Sequence, residues 1–186
     1  MLRFIILPIL SISFLFFGCS SGSFTSLDSI KSELGVQSLP VQSDYPDDDG
    51  IILTEIHDVD LTFDSDWTLS TTEDITVVKK LFKNIENYAN VEIHLNWGEK
   101  LESIDARTIK PDGTPVMLKR SDFHEIKGAG NDYIFYSDKR IIKFTFPAIE
   151  KDCIIHYTFR IRKNYPFIFD EWRIQNILPV KKMNSG

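Results

Sequence analysis

Residues 136–161 read YSDKRIIKFTFPAIEKDCIIHYTFRI, and two alternations run through them. In the first, Ile142, Phe144 and Phe146 fall on one side, with Lys143 and Thr145 on the other. In the second, Cys153, Ile155, Tyr157, Phe159 and Ile161 share a face opposite Ile154, His156, Thr158 and Arg160. Successive side chains of a strand point to opposite faces, so a period of two sustained over this length predicts half-buried antiparallel strands. The connection at 147–152 is short and polar. That predicts the two strands to be the arms of a hairpin at the centre of an all-β domain.

The stretches upstream carry the same signal. Val91, Ile93, Leu95 and Trp97 alternate with Glu92, His94 and Asn96; Gly98 ends that strand, and residues 101–109 are predicted as its neighbour. Lys110-Pro111-Asp112-Gly113 is a tight turn with a mechanism, because proline presets its backbone angle and glycine accepts the left-handed one. Residues 116–118 return from it. Residues 122–132, which include Gly128-Ala129-Gly130-Asn131, read as the longest irregular stretch. Residues 51–63 form a first strand, or two short ones. There Val59, Leu61 and Phe63 lie on one phase and Ile52, Thr54 and Ile56 on the other, so a bulge near His57 is expected. Asp64-Ser65-Asp66 is a turn.

Residues 75–89 are ambiguous. Ile75, Val78, Phe82, Ile85 and Ala89 have helical spacing, whereas Thr72, Thr76, Val77 and Val78 are β-branched and the ends lack caps. The surroundings favour a long twisted strand ending near Phe82. Downstream, Tyr165, Phe167, Phe169 and Trp172 crowd around Pro166 in a loop-like segment.

The N-terminus is of a different kind. Arg3 precedes an almost wholly apolar run, residues 4–17, which is short for a helix crossing a hydrocarbon layer of about 30 Å. It reads as the hydrophobic region of a secretory signal. Leu15-Phe16-Phe17-Gly18-Cys19 resembles a bacterial lipobox, so residues 1–18 are expected to be a lipoprotein signal peptide and Cys19 the acylated residue, held in the membrane by its lipid chains. No aspartate follows Cys19, a feature similar to lipoproteins sorted to the outer membrane, facing the periplasm. Residues 19–49 are expected to be the lipidated cysteine and a flexible tether. Within it Leu27, Ile30 and Leu34 suggest a short helix, and Asp47-Asp48-Asp49-Gly50 lacks the ligand spacing of a calcium loop. Residues 50–183 are expected to be the folded domain.

The whole 186-residue chain carries a net charge of −6, and removing Arg3 with the leader leaves 20 basic against 27 acidic side chains. The basic residues are scattered along the sequence. Nucleic acid is therefore not an expected partner, since binding it rests on neutralising phosphates.

The sequence offers little catalytic chemistry. A cysteine nucleophile needs a histidine within hydrogen-bond reach. Cys153 is the only cysteine left once Cys19 is acylated, and on a strand His156 points to the opposite face. The apolar neighbours of Cys153 predict a buried, inert thiol. His57, His94, His124 and His156 lie on four separate segments without zinc-ligand spacing. Glu171 beside Trp172 is a weak candidate acid. Asp105 and Arg107 share a face and are set for a salt bridge across the sheet. No catalytic, metal or cofactor site is expected. One binding possibility stays open: Tyr165, Phe167, Phe169 and Trp172, with Trp67 and Trp97 near strand ends, would stack on a sugar or hold a protein if they line a rim. Otherwise they close the end of the domain as core.

Three stretches together, ARTIKPDGTP at 106–115, the 136–161 stretch, and EWRIQNILPV at 171–180, resemble the bacterial domain family of unknown function that lies N-terminal to transglutaminase-like domains in exported proteins. The resemblance covers residues 50–180. It implies an antiparallel β-sandwich, which settles residues 67–82 as strand. Where the family turns the connection after Phe146-Pro147 on glycine, this chain has Asp152. The family's catalytic domain is not within these 186 residues, so two readings follow. One is a non-catalytic envelope lipoprotein domain, an accessory or a protein- or glycan-binding module. The other is a fragment of a longer transglutaminase-like, cysteine-protease-like protein without activity of its own. If further strands are missing, an open sheet edge near residues 174–178 would recruit a partner strand or a second copy.

Overall fold

The computed structural model describes residues 25–63, 67–127, 139–164 and 178–185. Among these residues nine strands occupy Gly50–Phe63 (β1), Leu69–Leu81 (β2), Asn90–Leu95 (β3), Glu99–Ile109 (β4), Pro115–Met117 (β5), His124–Lys127 (β6), Arg140–Thr145 (β7), Ile154–Lys163 (β8) and Met183–Ser185 (β9). They form a six-stranded sheet in the order β5-β4-β8-β2-β1-β9 and a three-stranded sheet in the order β3-β7-β6. Every pairing is antiparallel except β9 on β1. The ambiguous 75–89 region resolves as expected, with β2 ending at Leu81 and a single 3-10 turn at Ile85–Tyr88.

The expected central hairpin is corrected. β7 pairs with β3 and β6 in the small sheet, while β8 pairs with β2 and β4 in the large one. The connection between them passes from one layer to the other. Both alternations do point into the shared core, where Ile93, Leu95, Ile142, Phe144 and Phe146 meet Ala106, Cys153, Ile155, Phe159 and Ile161. Alternation identifies the buried face of a strand but not its neighbour. The same correction applies to residues 101–109, since β4 lies beside β8 and β5 rather than β3. β6 also replaces the first part of the expected irregular stretch with a strand, and residues 128–132 lie outside the described residues.

The turn at Lys110–Gly113 forms as expected, with Gly113 donating its N–H to the Lys110 carbonyl at 2.8 Å and adopting φ +87°. In the interlayer connection Ala148 and Asp152 both have left-handed backbone, at φ +50° and +65°. Asp152 thus occupies a conformation glycine would adopt freely. The conformation is less favourable for alanine, by about 1–2 kcal/mol. Ala148→Gly is therefore expected to stabilise the domain by about 1 kcal/mol after the added unfolded-chain entropy is offset. A thermal melt showing an unchanged or lower midpoint would contradict this.

A second cluster lies on the opposite face of the large sheet. The registered row Ile51–Lys80–Ile154–Ile109 brings Ile51, Ile154 and Ile109 together beside Val78, Leu53 and Phe82. Helix α1 (Leu27–Leu34) covers this patch, with Ile30 fully buried and Leu27, Leu34, Leu39 and Tyr45 packed around it. Ser26 and Ser29 form a reciprocal N-terminal capping box, and Gly35 closes the other end with left-handed backbone. This corrects the expected tether from residue 25 onward. The short apolar pattern is the buried stripe of a docked helix. Asp49, expected to belong to a solvated linker, accepts from Asn84 Nδ2 at 2.7 Å, and its carbonyl accepts from the N–H groups of Phe82 and Lys83.

Cover on both faces also explains β1. Ile56 faces the helix side while His57, registered with Ile75 and Phe159, faces the small sheet. Both faces of β1 are covered only as far as His57: Val59, Leu61 and Phe63, the second phase read from the sequence, are exposed, and the pairing with β2 runs unbroken from Thr54 to Phe63, so there is no bulge near His57. The register shift lies between Ile52 and Thr54, at the fully buried Leu53.

The C-terminal segment lies along β1. Ile52 donates to the Pro179 carbonyl at 2.9 Å, the Ile52 carbonyl accepts from Lys181 at 2.9 Å, and Glu55 donates to Lys182 at 3.1 Å. Residues 174–177 of the expected open edge lie outside the described residues. Its last residue, Leu178, is buried at the start of this covering segment.

Candidate functional site: the Trp97 corner and the charged network beneath it

The chain passes from the small sheet to the large one at Asn96-Trp97-Gly98. Glu99 donates its N–H to the Asn96 carbonyl at 3.2 Å, and its carboxylate accepts the Asn96 N–H at 2.7 Å. Gly98, at φ +77°, permits the tight reversal, and Asn164 donates its N–H to the Gly98 carbonyl at 3.2 Å. Trp97 stands at the tip of this corner with 60% of its surface exposed. It was read as the last inward residue of a strand. The strand ends two residues earlier, so the alternation no longer governs it.

Around the corner lies a groove of about 410 Å³, lined by Asn96, Trp97, Gly98, Glu99, Lys100, Lys127, Lys139, Arg140 and Asn164. Arg140 bonds the Glu99 carbonyl and pairs with Glu125 at 3.1 Å. Lys100, Lys127 and Lys139 have no ion-pair partner among the described residues. The lysines come from β4, β6 and the approach to β7. Scattered in sequence, they meet only because both sheets end here.

Below the groove, the inner face of the large sheet changes from apolar to charged. Lys163 Nζ lies 2.8 Å from Glu73 and 3.7 Å from Glu99. The other Glu73 oxygen is 3.2 Å from His57 Nδ1, and Glu55 is 3.1 Å from His57 Nε2. All five side chains are largely buried. Hydrogen bonds from the imidazole to Glu55 and then Glu73 raise the His57 pKa to about 9, against the opposing effect of burial. The same bond to His57, ahead of the Lys163 ammonium, lowers the Glu73 carboxyl to about 2. At neutral pH both imidazole nitrogens are therefore protonated donors. Through Lys163 the network reaches Glu99, whose carboxylate accepts the Asn96 N–H beside Trp97.

The network was missed in the sequence. Glu55-x-His57 places two residues on one strand face and was legible, but Glu73 joins only through the β1–β2 register. An adjoining cleft of about 280 Å³ is lined by His57, Glu73 and Glu99 with Glu92 and His94 of β3. Among the described residues no cluster of His, Cys, Asp or Glu has metal-site geometry.

Cys153 is fully buried in the core, and burial pushes its thiol pKa up. His156 faces the other side of the large sheet, in register with Val78 and Arg107. Asp105 and Arg107 pair at 2.7 Å, along one strand rather than across the sheet. Trp67 is 83% exposed at the end of the β1–β2 ribbon, its ring 6.3 Å from that of Phe63. The acylation candidate Cys19, the rim candidates Tyr165, Phe167, Phe169 and Trp172, and Glu171 lie outside the described residues.

Two antiparallel sheets closed on a single core define a β-sandwich, here with a helix docked on the outer face of the larger sheet. The chain belongs to the domain family of unknown function DUF3857, a family with solved structures, whose model matches residues 67–184. The family resemblance read from the sequence is borne out. The fold is similar to a solved structure described as "a putative protease" from Parabacteroides distasonis, with 20% identity and a TM-score of 0.63. That match covers 74% of this chain and 28% of the other, so this chain spans under a third of that protein's length. At this identity the likeness is one of fold. No curated protein matches the chain.

Proposed function

We propose that this chain is a non-catalytic binding domain of a lipid-anchored envelope protein, with the groove at Trp97 as its ligand site. The observation that carries the reading is the exposed indole at a rigid corner, flanked by the amides of Asn96 and Asn164. An indole presents a flat apolar face and one N–H, the surface that stacks on the C–H face of a pyranose, and side-chain amides serve sugar hydroxyls. A saccharide fits this better than nucleic acid, given the overall charge of −6. The buried Cys153 and the charge-locked His57 support the absence of hydrolytic chemistry.

Affinity electrophoresis of the full chain through gels containing a panel of envelope polysaccharides tests the proposal. Retardation by at least one polysaccharide, abolished by Trp97→Ala, is expected. Unaltered mobility in every gel would overturn it.

Anchoring rests on the leader and on Gly18-Cys19. Cys19→Ser is expected to move the protein from the detergent phase to the aqueous phase, and inhibition of the lipoprotein signal peptidase to leave a larger precursor. Unchanged partitioning of the variant would end that part of the proposal. Outer-membrane placement facing the periplasm belongs to the same reading, and fractionation of the envelope checks it.

A further inference from the structure

We infer that the ligand of the Trp97 groove is an acidic saccharide, one whose sugar rings carry an anionic substituent such as a carboxylate. The inference rests on the proposed binding role of that groove and adds the charge of what it binds.

Lys100, Lys127 and Lys139 line the same groove as the indole, in a chain with six more negative than positive charges. Chance scatter on such a surface places lysines beside carboxylates, as happens for Lys143 with Glu92 and Lys110 with Glu150. These three lack such partners among the described residues. The single carboxylate of the lining, Glu99, is already engaged by the Asn96 N–H and by Lys163. The groove therefore presents cationic donors, with the local negative charge already compensated.

A neutral sugar would leave the three like charges that line the groove without a counter-charge. An anionic group on the ring relieves that repulsion and gives the ammonium groups charge-assisted hydrogen bonds. The division of labour is plain: Trp97 takes the apolar face of the ring, Asn96 and Asn164 its hydroxyls, and the lysines its charge. Their long, mobile stems suit a charge whose position varies from ring to ring along a polymer, whereas a bidentate arginine would require one geometry.

The test compares matched ligands on the full chain in detergent. The probes are oligogalacturonate, its carboxyl-reduced counterpart of equal length, and an oligothymidylate, each measured by isothermal titration calorimetry. Each exposed ammonium–carboxylate pair contributes a few-fold in affinity. Three should favour the acidic oligomer over the reduced one by about 10-fold or more, and 0.5 M salt should erase most of the difference. Lys100→Gln and Lys139→Gln should each weaken acidic binding about 3-fold and leave the reduced oligomer unaffected. Trp97→Ala should weaken both sugars, and circular dichroism verifies that each variant is folded.

Equal affinity for the two sugars would overturn the acidic preference while leaving a saccharide-binding groove in place. Failure to bind either sugar would overturn both. Tighter binding of the oligothymidylate than of either sugar would overturn the saccharide class itself, and binding indifferent to all three substitutions would place the ligand elsewhere.

Discussion

Ile30→Ala will destabilise the domain by about 2–4 kcal/mol in urea unfolding, a large share of the stability of a domain this size. Ile30 is fully buried among Ile51, Leu53, Val78, Phe82, Ile109 and Ile154, all six of which are themselves essentially inaccessible. Truncation removes its transfer free energy and leaves a cavity that a sheet surface, fixed by its ladder, cannot collapse to fill. The neighbouring Lys31→Ala changes an exposed helix face and an exposed pair with Asp28, and should stay within about 0.5 kcal/mol of wild type. Equal effects of the two substitutions would mean that the helix does not dock.

The second large effect is on pH dependence. His57 is raised from 6.5 to about 9, so its contribution is complete below pH 6.5 and is lost as the pH rises through 9. Glu73 is lowered from 4.5 to about 2, so its contribution is complete above pH 4.5 and is lost as the pH falls through 2. Stability from the network should therefore be greatest between pH 4.5 and 6.5 and decline on either side. Between pH 6.5 and 9 the loss should be about 2–3 kcal/mol, since the imidazolium must release its proton in the unfolded chain but holds it in the folded one. His57→Gln should flatten the alkaline limb while keeping a core that unfolds cooperatively. If wild type and variant fall in parallel from pH 6.5 to 9, the histidine is not the cause.

The fold was largely legible, and the site was not. The inward faces of β7 and β8 could be read directly, because a period of two records burial. Their separation into different sheets could not be read, because eight residues suffice either for a hairpin or for a step between layers. β8 also hid part of its own pattern: Ile154 and His156, on the face opposite the main core, are buried too, Ile154 in the cluster beneath the N-terminal helix. The helix at Leu27–Leu34 was visible as a pattern of three apolar residues, yet nothing local disclosed the matching patch on the far side of the sheet. Trp97 was noted as a strand-end aromatic, and the lysines around it were judged scattered. They are scattered in sequence, and only the meeting of β4, β6 and β7 at one corner gathers them.

The placement of β8 also dictates the order in which the domain can come into being. β1 and β2 form one local ribbon and β4 and β5 another, each complete soon after its second strand is synthesised. The two ribbons do not pair with each other in the finished sheet, because β8 lies between them and carries the ladders on both sides. Thr76 must wait for Thr158, 82 residues later, before their hydroxyls meet at 3.0 Å. Synthesis therefore delivers two unjoined ribbons until the chain has passed Lys163, and the outer edge of β1 stays open until residues 179–185 arrive. Contacts so distant in sequence make for slow closure. A chain held back from committing to its fold in this way stays open for most of its synthesis.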